Sequence, residues 1–190
     1  MPEMIAKLHC RSVTLTPLSR EHRDLYVSLY TDPEVMAHIA SPLSAERANA
    51  SFDAEFGAAA RRGWVWVIAH DELPVGLMAL RQSQEADLAE IGTMLKRSVR
   101  GRGIALNAIK LSIQFAFERN DWRAVVGRHQ VKNLGADAVM RMTRLPFDRT
   151  VNETDGHVEW RLTRDQWRAA QLGASGASMD NAAKAGPAHV

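Results

Sequence analysis

A single cysteine, Cys10, stands in 190 residues. One cysteine excludes an internal disulfide and fits a reducing compartment, so a cytoplasmic protein is expected. A lone cysteine near a terminus is read as incidental rather than nucleophilic. No apolar run approaches the ~18 residues that cross a bilayer. The opening residues also lack the basic-then-apolar order of a secretory signal, so no membrane partner is expected. Charge of either sign is not in excess: 24 Lys and Arg face 22 Asp and Glu, for a net +2. With the arginines scattered, that balance gives no reason to expect nucleic acid as a partner. Tyrosine is scarce, with Tyr26 and Tyr30 the only two, both early. No Gly-x-x-x-x-Gly-Lys-Ser/Thr run occurs, which excludes a P-loop. There are no internal repeats, and no metal site is expected.

What is present suits a folded domain with one core: 46% of residues are hydrophobic and 24% charged. Residues 1–168 are expected to form it. Residues 169–190, and Leu172 to Val190 most clearly, are rich in Ala, Gly and Ser with few large apolar groups. They are expected to be a disordered tail.

Val13–Thr16 alternates and reads as a strand. Asp32-Pro33-Glu34 is a cap, a first-turn proline and an acidic first turn. Ser44 caps a helix with Ala48, Phe52, Phe56 and Ala59 on one face, ended by Gly63. Trp64–Ala69 and Val75–Leu80 flank the hairpin signal His70-Asp71-Glu72-Leu73-Pro74, and Leu88–Leu95 continues the meander. Ile104 to Glu118 is a helix, with Ile104, Ala108, Leu111 and Phe115 on one side and Asn107, Lys110, Gln114 and Glu118 on the other. A strand at Trp122–Val131, a helix from Asn133 and strands near Phe147–Val151 and His157–Thr163 follow. The order implies a mixed sheet with helices on both faces, α+β to α/β in class.

Between the Leu88–Leu95 strand and the Ile104 helix lies Arg100-Gly101-Arg102-Gly103-Ile104-Ala105. Glycines keep side chains out of the way, helix-start N–H groups point at a ligand, and two arginines add charge. A phosphorylated ligand is indicated, although a tight turn without a ligand satisfies the same six residues. The dinucleotide fingerprint Gly-x-Gly-x-x-Gly fails at Leu106.

Arg100, Gly103 and Ala105 also fill Arg/Gln-x-x-Gly-x-Gly/Ala, which resembles the coenzyme A pyrophosphate loop of the GNAT (Gcn5-related) N-acetyltransferases. Asn133 with Ala136 is similar to the Asn-x-x-Ser/Ala element after that family's fifth strand. Glu90-Ile91-Gly92 resembles the Glu-x-Gly of the ribosomal-protein N-terminal acetyltransferase branch, as do Leu15-Thr16-Pro17-Leu18 and Tyr30-Thr31-Asp32-Pro33-Glu34-Val35. The resemblance covers roughly residues 10 to 165. It implies a central, mixed, mostly antiparallel twisted sheet of about seven strands, the fourth and fifth splayed for acetyl-CoA. It further implies acetyl transfer to a primary amine, on a protein N-terminus or on a small compound such as an amino sugar, amino acid or antibiotic. In that reading Gly101, Arg102, Gly103, Ile104, Ala105 and Leu106, with Arg100, wrap the pyrophosphate. Met94 and Leu95 offer backbone groups to the pantetheine arm, and Asn133 contacts it while capping its helix. A homodimer is one assembly the resemblance leaves open.

Glu90 shares a strand face with Gly92 and Met94 and is the candidate base for the amine proton, with an arginine-paired surface glutamate as the alternative. His129 is the second candidate, with a structural histidine as its alternative. Trp64 and Trp66 share one face of a central strand, as core or as an aromatic wall for the acceptor. The tyrosine many family members carry in the helix after the fifth strand is missing: Ala138-Val139-Met140-Arg141-Met142-Thr143 stands there, and Leu145-Pro146-Phe147 replaces the usual Gly-Phe ending. A coenzyme A-binding regulatory module with little or no turnover therefore stays open, and a nucleotide- or dinucleotide-binding protein is a separate alternative.

Overall fold

Alternating apolar residues and tight turns drive the chain into a meander. In the computed structural model, which describes residues 7–56, 63–85 and 87–183 with side chains through 173, eight strands form one sheet. They are β1 (Leu8–Cys10), β2 (Val13–Pro17), β3 (Gly63–His70), β4 (Leu73–Gln82), β5 (Leu88–Leu95), β6 (Ala124–Gln130), β7 (Asp148–Asn152) and β8 (His157–Thr163). The spatial order is β1-β2-β3-β4-β5-β6-β8-β7. Every neighbouring pair is antiparallel except β5 and β6. A parallel pair needs a long crossover, and α4 (Ile104–Arg119) supplies it. The remaining helices are α1 (Arg23–Thr31), α2 (Pro33–Met36), α3 (Ala45–Ala54), α5 (Leu134–Met142) and α6 (Arg164–Ala183). Among the described residues no helix is long and apolar enough to cross a membrane.

Two apolar layers flank the sheet. On one face α4 packs Ile104, Ala108, Ile113 and Phe115 against Trp66, Ile68, Ala89, Ile91 and Leu95. On the other, Leu25, Tyr26 and Leu29 of α1 and Phe52 of α3 meet Val67 and Leu77, with Met94 at the margin. Alternation along β5 therefore sends Ala89, Ile91, Thr93 and Leu95 toward α4, and Glu90, Gly92 and Met94 toward the α1 side.

Three expectations are corrected. The sheet has eight strands, because Leu8–Cys10 folds back on β2 through a turn in which Arg11 takes φ 55°. Gly63 opens β3 instead of ending a helix. A Cβ there would stand 2.4 Å from the Leu80 carbonyl oxygen, so the glycine serves strand approach. Ala59, expected on the apolar helix face, lies outside the described residues, and α3 ends at Ala54. The backbone is helical through Ala183 where disorder was expected from residue 169. The alanines that deprive this stretch of a core are also the strongest helix formers. Residues 184–190 lie outside the described residues.

Candidate active site

The site begins where β5 and β6 part. Their parallel ladder runs Leu88↔Ala124, Ala89↔Val125, Glu90↔Val126 and Ile91↔Gly127, and stops. Both strands continue: β5 stays on β4 through Gly76↔Leu95, and β6 stays on β8 through Gln130↔His157. The β6-facing edge of β5 from Gly92 to Leu95 therefore has no strand partner. This is the splay expected of the fold's fourth and fifth strands. Its free backbone edge can bond an extended, amide-bearing chain as a strand would.

The glycine loop lies at the end of β5, at the N-terminus of α4. Gly101 and Gly103 have φ of 78° and 72°, a region that L side chains rarely adopt. A Cβ at either would meet no atom within 4 Å, so the space before them is open. Gly103 is the N-cap of α4, and the first intrahelical bond runs from Asn107 N to Gly103 O at 3.1 Å. The preceding N–H groups, those of Ile104, Ala105 and Leu106, have no acceptor within the helix. Arg102 is exposed. Arg100 is exposed and donates to the Glu34 carbonyl at 3.4 Å, while Arg97 pairs with the Glu34 carboxylate. Open glycines, first-turn N–H groups and cationic side chains fit a diphosphate.

The structure places the remaining candidates as follows. Asn133 caps α5, its Oδ1 accepting from Ala136 N at 3.0 Å. Leu95 is buried against α4, whereas Met94 turns to the α1 side. Glu90 is half-exposed on the α1 side, its Oε2 accepting from Arg128 Nη1 at 2.7 Å. Arg128 also binds Glu159 at 2.7 Å, and Arg161 links Glu159 to Glu85. Gly92, next to Glu90 on that face, is exposed with open space above it. Glu90 and Gly92 thus lie on an open surface beside the fork.

His129 is on the other face and buried. The indole N–H of Trp160 donates to its Nε2 at 3.1 Å. An indole nitrogen only donates, so Nε2 carries the lone pair and Nδ1–H donates to the Gln130 carbonyl at 2.8 Å. Both nitrogens are engaged inside the protein, the arrangement expected of a structural histidine. Trp64 and Trp66 do not form an acceptor wall. Trp66 has 0% exposure, and both rings meet Phe115 of α4 edge-on, at 5.3 and 5.2 Å. They pack toward the C-terminal half of α4, away from the loop.

Several contributors to the fork went unnoticed in the sequence. Gly76 allows β4 to approach: a Cβ there would stand 2.2 Å from the Met94 carbonyl oxygen. At the apex, a Cβ on Gly127 would meet Met140 Cε at 3.3 Å and Ile91 Cγ1 at 3.4 Å. Met140 is therefore the residue of α5 that closes the fork from below. Arg128 carried no signal beyond its place in a strand of alternating character.

A forked parallel pair fed by a glycine loop at a helix start is the arrangement that the sequence resemblance implied for a coenzyme A thioester. Residues 12–145 match the family described as acetyltransferase (GNAT) domain, and the chain belongs to that family. It is an acyltransferase that uses acetyl-CoA. Among curated proteins it is similar to FsC-acetyl coenzyme A-N(2)-transacetylase of Aspergillus fumigatus, 28% identical over an alignment of 190 positions that spans 86% of this chain and 79% of that protein. Its fold is that of the ribosomal L7/L12 alpha-N-protein acetyltransferase RimL in complex with coenzyme A, with TM-score 0.71 and 16% identity over 83% of this chain and 98% of that one. An acetyltransferase from Agrobacterium tumefaciens gives TM-score 0.68 and 19% identity, covering 85% and 96%.

Proposed function

We propose that the chain moves the acetyl group of acetyl-CoA to a primary amine that enters from the α1 side of the fork. The observation that carries this reading is the end of the β5–β6 ladder at Ile91↔Gly127, with open space over Gly92 on one face and the glycine loop leading in from the other. Gly101, Arg102, Gly103, Ile104, Ala105 and Leu106, with Arg100, hold the pyrophosphate. The free edge at Met94 and Leu95 holds the pantetheine amides, and Asn133 flanks that arm. Acetyl-CoA supplies an activated acyl group. Glu90, anchored by Arg128, accepts the amine proton through a water.

The acceptor is a protein N-terminal amine or the amine of a small compound, in a cytoplasmic setting that suits the lone free thiol. The names of two similar proteins, an N(2)-transacetylase and an alpha-N-protein acetyltransferase, support nitrogen as the acceptor atom. One observation favours a second reading, a coenzyme A-binding module with little turnover: the α5 side chain at the fork is the thioether of Met140, which has no proton to give.

The experiment is an acceptor screen with acetyl-CoA and thiol detection across N-terminal peptides, amino sugars and amino acids. Turnover with one class names the acceptor. Tight coenzyme A binding with no turnover on any of them favours the module.

A further inference from the structure

Breaking a thioester leaves a thiolate, and a thiolate in a half-buried site is costly unless something donates to it. The fork narrows the possible donors. The acyl end of a chain that enters at the loop and follows the free edge of β5 lies deepest, near the apex. On the α4 side that apex is walled by Ile91, Gly127 and Met140, none of which has a side-chain donor. Both ring nitrogens of His129 are taken. Tyr26 and Tyr30 sit in or against the α1-side cluster, on the far face of the sheet. Of all the residues of β5, β6 and α5, only Thr93 bears a hydroxyl.

Thr93 is the first β5 residue beyond the apex on the α4 side, two past Ile91, at a level where β5 has left β6. It is half-buried. Its hydroxyl donates to Met78 Sδ at 3.0 Å, and Met78 is fully buried. A thioether is a weak acceptor. The hydroxyl therefore loses little by turning its hydrogen elsewhere, and a charged sulfur is the stronger partner.

We propose that Thr93 is a catalytic residue whose hydroxyl donates a hydrogen bond to the coenzyme A sulfur as that sulfur becomes a thiolate. The inference rests on the acetyl-transfer reading above. In the step, the acceptor nitrogen forms a bond to the acyl carbon, the C–S bond breaks and its electron pair goes to sulfur. The proton released by the amine passes through a water to Glu90. Thr93 keeps its own proton, because an aliphatic hydroxyl is a far weaker acid than a thiol. It stabilises the charge by hydrogen bonding and does not neutralise it. This offers an answer to a helix that lacks the family's tyrosine, with the donor on the strand instead.

The test uses coenzyme A itself with the intact protein and the isosteric variant Thr93→Val, with Thr93→Ser as the conservative control. The thiolate absorbance of bound coenzyme A is titrated against pH, a readout that needs no acceptor. The expected result is a bound-thiol pKa about one unit higher in Thr93→Val, the equivalent of about tenfold in thiolate stability. Acetyl-CoA hydrolysis should slow by about the same tenfold, with coenzyme A affinity unchanged and Thr93→Ser within a fewfold of the parent. A Thr93→Val protein that matches the parent in thiol pKa and hydrolysis overturns the proposal. So does equal loss of affinity and thermal stability in both variants, which marks Thr93 as structural. A parent protein that binds no coenzyme A removes the underlying reading, and the proposal falls with it.

Discussion

Arg128 Nη1 holds Glu90 Oε2 at 2.7 Å across the point where their strands part. Glu90 lies in the last stretch of β5 paired with β6, and Arg128 is the first β6 residue beyond that ladder. The guanidinium also takes Glu159 from β8 at 2.7 Å. One side chain thus ties the separating strand back to both neighbours and fixes the orientation of the candidate base.

If Glu90 accepts the amine proton, Glu90→Gln lowers turnover by ~10²-fold or more at saturating acceptor. Coenzyme A affinity barely changes, because Glu90 is remote from the glycine loop. Folding stability changes little, since exposed ion pairs contribute roughly 0.2–1 kcal/mol. Steady-state kinetics beside calorimetry checks both. A variant within a fewfold of the parent leaves the reaction without a protein base, as His129 is committed to Trp160 and Gln130.

Coenzyme A binds in the micromolar range, on the order of −8 kcal/mol. Gly103→Glu abolishes that binding. Its carboxylate enters the space before the α4 N-terminus, and its Cβ strains a residue at φ 72°. The turn is exposed, so circular dichroism should still report a folded protein. Parental affinity in the variant would place the pyrophosphate elsewhere.

Arg144 follows the C-cap of α5 with φ 57°, where most helices would place glycine. The left-handed conformation costs a non-glycine residue about 1–2 kcal/mol, partly offset by the extra unfolded-state freedom of glycine. Arg144→Gly therefore stabilises the protein by about 0.5–1 kcal/mol, read as a higher denaturation midpoint at unchanged m-value. A lower midpoint refutes the strain argument.

Burial alone would raise the carboxyl pKa of Glu159, but hydrogen bonds from Arg161 and Arg128 outweigh it and hold the group below the ordinary carboxylate range. Desolvation is likewise overridden at Asp137 by Arg141 and Arg149. A depressed folded pKa contributes stability above the unfolded value, near 4.3 for glutamate, that is lost as pH falls through the folded value. Denaturation midpoints should thus fall as pH drops from about 5 to about 3. Glu159→Gln should remove part of that slope, roughly 0.2–1 kcal/mol for a partly exposed pair. An unchanged slope in the variant assigns the acid loss to other carboxylates.

The local elements were readable because their causes are local. The bounds Leu88–Leu95 and His157–Thr163 match the apolar alternation, α4 starts at Ile104 behind its glycines, and Asn133 caps α5. Asp71 and Glu72, with φ of 48° and 67°, make the hairpin turn where the sequence signalled one. Errors came where a residue has two uses. Gly63 stops helices but also lets strands approach closely, and the alanines of the tail form a helix as readily as they fail to form a core. The choice between those uses depends on neighbours distant in sequence.

The amino-acid sequence alone determined the order of strands and helices and the glycine loop at a helix start, because glycine and a helix start act through their own backbone. Tertiary structure alone decided where β5 and β6 separate, which tryptophan is sealed in the core, that His129 is spent on Trp160, and that Arg128 reaches Glu90. Those outcomes depend on register and on which face a strand presents. A period-two pattern gives the alternation of faces, while only packing against α1 or α4 decides which residues each face meets.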